Sequence, residues 1–375
     1  MKIERIDVYR VALDSRDGGQ KLSGGRTIAN STSIVVGVTT DTGLTGWGES
    51  APWGPQYLPT FAEAIIAGLT HLAPVMIGCD PRAIGTLHDR LSAALYRQPY
   101  IVSALDIACW DLAGQAAGLP VFDLLGGTRS PDPFISAYIG AAKDNAFAQR
   151  ISEFRSHGVT QFSAKLSGDV TSDIDFIKSI AAEMGPGESL KVDTNRGWRC
   201  DQAIRVAALI PRDLDIYFEQ PCESYEDNRD FRRTSGRPLI LDEGATDLET
   251  LLRAWGDGVL DAVNVKIARH GGLSGARVVR DTLAALRVPM HIQDMGGSDL
   301  ARAAICHLAY STPSDVLLYV WDPKNLVETT TAAGGATVAN LRMSISPTPG
   351  LGVKPLTNIL GAPIAVCDVA GFRRT

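Results

Sequence analysis

The chain of 375 residues lacks the features that mark secreted, membrane-spanning and zinc-binding proteins. Its six cysteines are far apart and form no Cys-x-x-Cys pair, which argues against a disulfide framework, and we read them as small buried hydrophobic residues. No run of about 18 apolar residues occurs that could cross a bilayer. The charged start, MKIERIDVYR, is unlike a secretory signal. We therefore expect a soluble, cytoplasmic protein.

A concentration of positive charge is also missing. The 36 Lys and Arg residues are scattered among 42 Asp and Glu residues, and the net charge is -6. A basic face is what attracts proteins to nucleic acid and to anionic lipid. We therefore expect neither nucleic acid nor a membrane as a partner, and a small molecule becomes the best candidate.

Two patterns of elements divide the chain. Up to residue 127, extended segments joined across residues 41–43 precede three stretches of helical periodicity, which predicts an α+β unit. From residue 128 to 330, eight short apolar segments alternate with amphipathic stretches; they are FISAYIGA, QFSAKLSG, LKVDTNRG, IYFEQPC, PLILDEGA, AVNVKIAR, PMHIQDM and LLYVWDP. Eight such units predict a parallel barrel, whose chemistry takes place at the C-terminal ends of the strands.

A charged residue closes five consecutive strands of this predicted barrel. These residues are Lys165, Asp193, Glu219, Asp242 and Lys266, and they lie 28, 26, 23 and 24 residues apart, about one strand and helix each time. The barrel would gather them into an arc with a lysine at each end. Charged residues often mark the point where a strand leaves the core, but five in phase favour a functional site.

Three neighbouring carboxylates repel one another unless a cation neutralises them. Oxygen ligands favour Mg²⁺, with Mn²⁺ as the second choice, whereas zinc would require His or Cys ligands. A lysine near such an ion and partly removed from water is expected to have a lowered pKa and to act as a base. In the alternative, the lysines only pair with the carboxylates and there is no substrate site.

The motifs around these residues resemble the enolase superfamily, in its mandelate racemase and muconate lactonizing enzyme family and on the muconate lactonizing branch. The resemblance spans nearly the whole chain and rests on ALDIACWDLAGQAAGLPVFDLLGG, VDTNRGW, FEQPC, LDEG and VKIARHGGLSGA. One departure is Ser163, where that branch usually has the first lysine of a Lys-x-Lys motif. This makes a typical cycloisomerase or succinylbenzoate synthase a poorer match.

The resemblance implies the architecture and the central chemistry. The fold would be α/β, with a modified TIM barrel of the (β/α)7β type in residues 128–330. An α+β capping domain of residues 1–127, with lid loops at residues 15–31 and in APWGPQY, would be completed by residues 331–375. Asp193, Glu219 and Asp242 would bind Mg²⁺, and Lys165 and Lys266 would form an acid/base pair on opposite faces of the substrate. The family often forms symmetric assemblies, so we expect a homo-oligomer.

All members of this family remove the proton next to a carboxylate, so the rest of the pocket selects the substrate. Our candidate substrate-binding residues are Trp53, Tyr57, Asn195, Asp294, Trp321 and Asp322. An indole face beside a carboxylate suits a cationic amine. The alternative is that Trp321 is core and that Asp322 begins a turn with Pro323.

The segments PWGPQY and VW resemble family members that act on proline derivatives. A secondary ammonium has N–H donors for a carboxylate such as Asp322, whereas a betaine has none. We therefore expect cis-3-hydroxy-L-proline as substrate, with dehydration and 2-epimerisation sharing one intermediate. The alternatives are a proline-betaine racemase or 4-hydroxyproline-betaine 2-epimerase, a dipeptide epimerase, and a barrel that binds an amino acid without catalysis.

Overall fold

The computed structural model describes residues 1–141 and 146–375, with the backbone alone for Asp17, Gln20, Lys21, Gly24 and Asn30. The first part, here called the cap, consists of β1 (Ile3–Asp14), β2 (Gln20–Lys21), β3 (Thr27–Ile28), β4 (Asn30–Thr40), β5 (Thr45–Ser50), α1 (Ala62–Met76), α2 (Ile84–Ala94), α3 (Pro99–Ala117) and α4 (Val121–Leu124). Strand β4 pairs antiparallel with both β1 and β5. The three longer helices follow the strands in the order that the sequence predicts.

Eight strands then alternate with helices along the chain. They are β6 (Ala137–Ala141), α5 (Phe147–Ser156), β7 (Gln161–Lys165), α6 (Val170–Glu183), β8 (Ser189–Asp193), α7 (Cys200–Leu209), β9 (Ile216–Glu219), α8 (Tyr225–Ser235), β10 (Leu239–Leu241), α9 (Leu248–Gly256), β11 (Ala262–Lys266), α10 (Leu273–Ala285), β12 (Met290–Gln293), α11 (Asp299–Tyr310) and β13 (Leu317–Val320). Neighbouring strands pair in parallel from β6 to β13. Ile135, just before β6, pairs with Val320 of β13 and closes the barrel. In the described residues this is the predicted (β/α)7β barrel.

The remaining elements connect the barrel back to the cap. They are β14 (Ala332–Gly334), β15 (Ala336–Ala339), β16 (Arg342–Ile345), β17 (Val353–Pro355), α12 (Thr357–Leu360), β18 (Ala365–Asp368) and β19 (Gly371–Arg374). Strand β18 pairs with β1 and with β19, so the cap sheet has the order β19-β18-β1-β4-β5. The last two strands therefore belong to the cap sheet.

The cap has a hydrophobic core of its own, and the barrel core also takes in residues of the cap helices α3 and α4. A smaller cluster joins cap and barrel at the C-terminal ends of the strands. All five residues of β11 are buried, as expected for a parallel strand covered on both faces. In the joining cluster, Leu22, Tyr57 and Leu58 of the cap pack on Ala268 and Met295 of the barrel. This contact fixes the cap loops over the C-terminal ends of the strands.

Two expectations from composition can be compared with the fold. Within the described residues, no helix combines the length and hydropathy needed to span a bilayer. All six cysteines are free thiols. Four are buried as predicted, namely Cys109, Cys222, Cys306 and Cys367, whereas Cys79 and Cys200 are partly exposed.

Candidate active site

The five charged residues that the sequence singles out lie at one end of the barrel. Lys165, Asp193, Glu219 and Lys266 are the last residues of β7, β8, β9 and β11, and Asp242 follows β10 directly. The strand register places Asp193 beside both Lys165 and Glu219. Since β7 and β11 are four strands apart in a closed barrel of eight, the two lysines stand on opposite sides of its axis. The three carboxylates lie on the arc between them.

A cavity of about 850 Å³ separates this end of the barrel from the cap. All five charged residues line it, and the cap contributes Trp53 and Tyr57 to the opposite wall. Asp294, after β12, and Trp321, after β13, complete a third side. The topology therefore brings nine of the eleven predicted site residues to one cavity.

Each carboxylate of the arc is engaged by an ammonium group. Lys165 forms an ion pair with Asp193, and Lys266 Nζ lies 2.8 Å from Asp242 Oδ2. Glu219 pairs with Lys191, a residue of β8. In this arrangement no three Asp, Glu, His or Cys side chains of the described residues are close enough together to hold a metal ion. The lysine–carboxylate pairing weighed from the sequence is thus present, but it lines a cavity.

The donor chemistry of the arc nevertheless suits a hard cation. Burial, and then the charge of Asp193, raise the pKa of Glu219 to about 7. The positive charge of Lys191 therefore does not fully offset burial and the neighbouring negative charge. The Oε2 atom of Glu219 is buried and is paired with the ammonium of Lys191. All the acidic ligands are oxygens, the type that Mg²⁺ and Mn²⁺ prefer.

The cap side of the cavity, next to Lys266, is aromatic with one buried carboxylate. The ring of Trp53 lies 5.4 Å from that of Tyr57 and 6.2 Å, edge to face, from that of Trp321. Asp294 Oδ1 accepts hydrogen bonds from the amides of Ala268 (3.0 Å) and Met295 (2.7 Å). Burial raises the pKa of Asp294 to about 7. A cationic group in the cavity would stabilise the ionised form of this carboxyl and rest on the indole rings.

Comparison with known proteins agrees with this geometry. Residues 8–126 match the N-terminal domain model of mandelate racemase and muconate lactonizing enzyme, and residues 146–358 match the enolase C-terminal domain-like model. The chain belongs to the mandelate racemase and muconate lactonizing enzyme family. This places it among the enzymes of the enolase superfamily, as the sequence motifs predict.

Three relatives of this family member are informative. The cis-3-hydroxy-L-proline dehydratase of Roseibium aggregatum is 38% identical over 97% of this chain and 99% of its own length. The L-Ala-D/L-Glu epimerase of Bacillus subtilis is 25% identical over 94% of this chain and 97% of its own. A crystal structure of an enolase superfamily member from Roseovarius nubinhibens ISM complexed with magnesium has a TM-score of 0.90 and 34% identity, and covers 98% of this chain and 99% of that one.

Two predicted substrate-binding residues do not line the cavity. Asn195 lies just after β8, where its Oδ1 accepts a hydrogen bond from Lys165 Nζ (3.0 Å) and its backbone amide donates to Asp193 Oδ1 (2.7 Å). Asp322 accepts hydrogen bonds from Arg302 Nη2 and from the amide of Lys324, both at 3.0 Å. Successive residues of an extended segment point to opposite sides, so Trp321 enters the cavity and Asp322 turns away. Asp322 is therefore bonded to Arg302 and lies outside the cavity lining, whereas we expected it beside a substrate amine.

Lys191 is a cavity residue that the spacing of the strand ends does not predict. This buried residue lines the cavity, pairs with Glu219 and lies with its ammonium 5.2 Å from the centre of the Tyr319 ring. The signal for it was the alternation of β8, because Lys191 is two residues before Asp193 and shares its face. Among the residues that the structure describes, the cavity lining thus includes three lysines, namely Lys165, Lys191 and Lys266.

The pKa of Lys165 differs from the sequence expectation. Burial lowers it, but the charges of Asp193 and Glu219 outweigh burial and raise the pKa above its usual value. A cation shared by these carboxylates would cancel much of that effect, since it would neutralise the charges that hold the proton. The expected lowering of the pKa would therefore require such a cation.

Both predicted lid segments lie over the cavity. Arg16 and Gly19 of the first segment line it, and Leu22 is buried against the cluster that contains Tyr57. Arg26 Nη2 of the same segment donates to the backbone oxygen of Asn195 (2.9 Å). The second segment supplies Trp53 and Tyr57. The cap therefore completes the site as well as covering it.

Proposed function

We propose that this protein is a Mg²⁺-dependent enzyme that removes the proton alpha to the carboxylate of a proline-like amino acid. The first candidate is a cis-3-hydroxy-L-proline dehydratase with 2-epimerase side activity. The observation that carries this proposal is the position of Asp294, Trp53 and Trp321 in the cavity that also holds the opposed Lys165 and Lys266. The relative from Roseibium aggregatum supports the choice of substrate.

Asp193, Glu219 and Asp242 would hold the metal ion in this proposal. The bound ion supplies positive charge that stabilises the negative charge developing on the substrate carboxylate as the C2 proton leaves. Binding requires that the ammonium groups of Lys165, Lys191 and Lys266 release the carboxylates. Two of these lysines are then available for proton transfer.

The lysines would act from the two faces of the substrate ring. One lysine, in its neutral form, takes the proton from C2. The opposite lysine, as an ammonium, gives a proton to the 3-hydroxyl, which leaves as water while the C2–C3 double bond forms. The resulting enamine tautomerises to a pyrroline-2-carboxylate. If the second lysine protonates C2 instead, the outcome is 2-epimerisation.

Asp294 would distinguish a free amino acid from a betaine. A secondary ammonium can donate a hydrogen bond to the Asp294 carboxylate, whereas a betaine nitrogen offers only its charge. This role replaces the one that the sequence gave to Asp322, which is held by Arg302. The betaine 2-epimerases therefore rank below the dehydratase.

A dipeptide epimerase is the second candidate. The cavity of about 850 Å³ is larger than a single proline ring requires, and the relative from Bacillus subtilis acts on a dipeptide. Because Asp322 is turned away, however, the last strand offers no acidic pair for a peptide amine. A barrel that only binds an amino acid is the least favoured alternative, since binding alone does not require two opposed lysines.

Proton exchange at C2 in D₂O tests the proposal. The protein would be assayed with Mg²⁺ on a panel of cis-3-hydroxy-L-proline, 4-hydroxyproline betaine, proline betaine and L-Ala-L-Glu. A pyrroline product from the first compound supports a dehydratase, and exchange without net product supports an epimerase. Absence of exchange on every compound would contradict the proposal and leave the binding alternative.

Two properties expected from the sequence remain proposals about the protein in solution. We propose that it forms a homo-oligomer and that it works in the cytoplasm on a small-molecule substrate. Light scattering coupled to size-exclusion chromatography tests the first, and a molar mass of one chain, about 40 kDa, would contradict it.

A further inference from the structure

A segment of the cap and a loop of the barrel interlock beside the cavity. The segment is residues 49–53, at the end of β5, and the loop is residues 294–298, between β12 and α11. The segment carries Trp53 and the loop carries Asp294, both of which line the cavity. We call the two together the clamp.

Glu49 is a buried carboxylate at the base of the clamp. Its Oε1 accepts hydrogen bonds from Ser33 Oγ (2.6 Å) and from the amide of Ser298 (3.0 Å). Its Oε2 accepts hydrogen bonds from Ser298 Oγ (2.8 Å) and from the amide of Ala301 (2.9 Å). Because the two amides belong to the start of α11, the carboxylate also meets the positive end of that helix. Glu49 therefore fastens the end of the loop to the cap sheet.

Gly296 is the residue of the loop on which Ala51 and Trp53 of the cap segment pack. A Cβ atom at this position would lie 2.7 Å from the backbone oxygen of Ala51 and 2.8 Å from Trp53 Cδ1, closer than such atoms pack. The indole of Trp53 thus rests directly on the backbone of the loop. Only a residue without a side chain permits this approach.

We propose that Glu49 is a positioning residue that sets the placement of Trp53 relative to Asp294, and thereby selects the amine that the cavity accepts. Glu49 is outside the set of residues that line the cavity, so it acts through the clamp and not on the substrate. The substrate chemistry rests on the proposed function, whereas the mechanical part of the inference does not. The two parts can be tested separately.

The first test compares Glu49→Gln with Asp111→Asn. Asp111 is a matched control, because it is a buried cap carboxylate that accepts hydrogen bonds from the amides of Trp47 (2.9 Å) and Leu351 (2.8 Å), without contact to the clamp. A glutamine at position 49 must turn its NH₂ group toward a donor of Ser33, Ser298 or Ala301. We expect Glu49→Gln to raise KM for cis-3-hydroxy-L-proline about tenfold, the order expected for a small misplacement of binding groups, with kcat less affected. Asp111→Asn should leave KM unchanged although it lowers stability.

The second test approaches the clamp from the other side. Gly296→Ala leaves Glu49 in place but pushes Trp53 away, so KM should rise as in Glu49→Gln. Gly256→Ala is its control, because a Cβ there meets no atom within 4 Å. If Glu49→Gln does not fold, the comparison of Gly296→Ala with Gly256→Ala still tests whether the clamp affects KM. An unchanged KM in Gly296→Ala would overturn the inference.

A third measurement needs no substrate. Hydrogen exchange of the amides of Ser298 and Met295 should be faster in Glu49→Gln than in Asp111→Asn, because Met295 donates to Asp294. Equal exchange in the two variants would overturn the mechanical part. If the wild type acts on none of the proline compounds, the proposed function fails, while the exchange data still decide whether Glu49 orders the loop.

Discussion

The two lysine sites at the ends of the arc are built differently. The ammonium of Lys165 is held by Asp193 and Asn195, both from the barrel. The ammonium of Lys266 is held by Asp242 of the barrel and by Tyr57 Oη of the cap, at 2.9 Å. Both partners of Lys165 therefore lie in the barrel, whereas one of the two partners of Lys266 requires that the cap be docked; in the proposed function these two lysines transfer the proton. Cap movements should consequently affect the two faces of the substrate unequally.

The largest expected effect tests whether both sites take part in catalysis. Lys165→Ala and Lys266→Ala should each lower turnover at least about 10³-fold, within the range that a positioned acid or base contributes. Mg²⁺ binding, measured by calorimetry, should survive both changes, since the carboxylates remain. Full activity in either variant would remove that lysine from the mechanism.

The second prediction concerns the Lys266 side, where Asp294 lies. Asp294→Asn should raise KM roughly 30-fold, because losing one partner of a buried charge pair costs about 2 kcal/mol or more. Asp322→Asn is the matched control, since Asp322 pairs with Arg302 outside the cavity lining. Equal effects of the two changes on KM would indicate that Asp294 does not contact the amine.

The third prediction separates the two faces. Tyr57→Phe removes a hydrogen bond to the Lys266 ammonium and should slow the step on that face about tenfold, since such bonds contribute about 1.5 kcal/mol. Asn195→Ala should slow the step on the Lys165 face to a similar extent. The rate of C2 proton exchange, measured separately for the L and D epimers, reports on the lysine at each face of the substrate. Equal slowing of both epimers in Tyr57→Phe would argue against the asymmetry.

The smallest expected effect is on stability. His88 of α2 lies 2.6 Å, Nε2 to Oδ1, from Asp106 of α3, which also accepts a hydrogen bond from the amide of Ser274 in α10. Burial lowers the pKa of His88, but the hydrogen bond and charge of Asp106 outweigh it and raise the pKa above 6.5. The protonated histidine thus stabilises the fold fully below pH 6.5, and this contribution is lost as pH rises through the folded-state pKa. Melting temperatures of wild type and His88→Gln should differ most below pH 6.5 and converge only above the folded-state pKa of His88; a constant difference would contradict the assignment.

The residues that sequence reasoning placed well are those fixed by the barrel itself. The end of a parallel strand determines where Lys165, Asp193 and Lys266 lie, and regular spacing reveals such ends. Lys191 lies inside β8 and not at its end, so the spacing of strand ends does not reveal it, whereas the alternation within β8 puts it on the face of Asp193. Asp322 was placed in the cavity because it follows Trp321, but neighbours in an extended chain diverge.

The contacts between cap and barrel had no sequence signal of this kind. Tyr57 and Lys266 are 209 positions apart, and Glu49 and Ser298 are 249 apart. No local pattern encodes which cap loop meets which strand end. The resemblance to a family implied that the cap covers the barrel, but the partners of Glu49 and Gly296 could be read only from the assembled fold.

The pairing of β18 with β1 bears on how the protein comes to be folded. Ile6 and Cys367 are opposite one another in that ladder, so the cap sheet joins segments that are 361 positions apart. Contacts this distant in sequence form slowly. A nascent chain can therefore build much of its barrel while Tyr57 still lacks its support, and the Lys266 face should be the last part of the enzyme to mature.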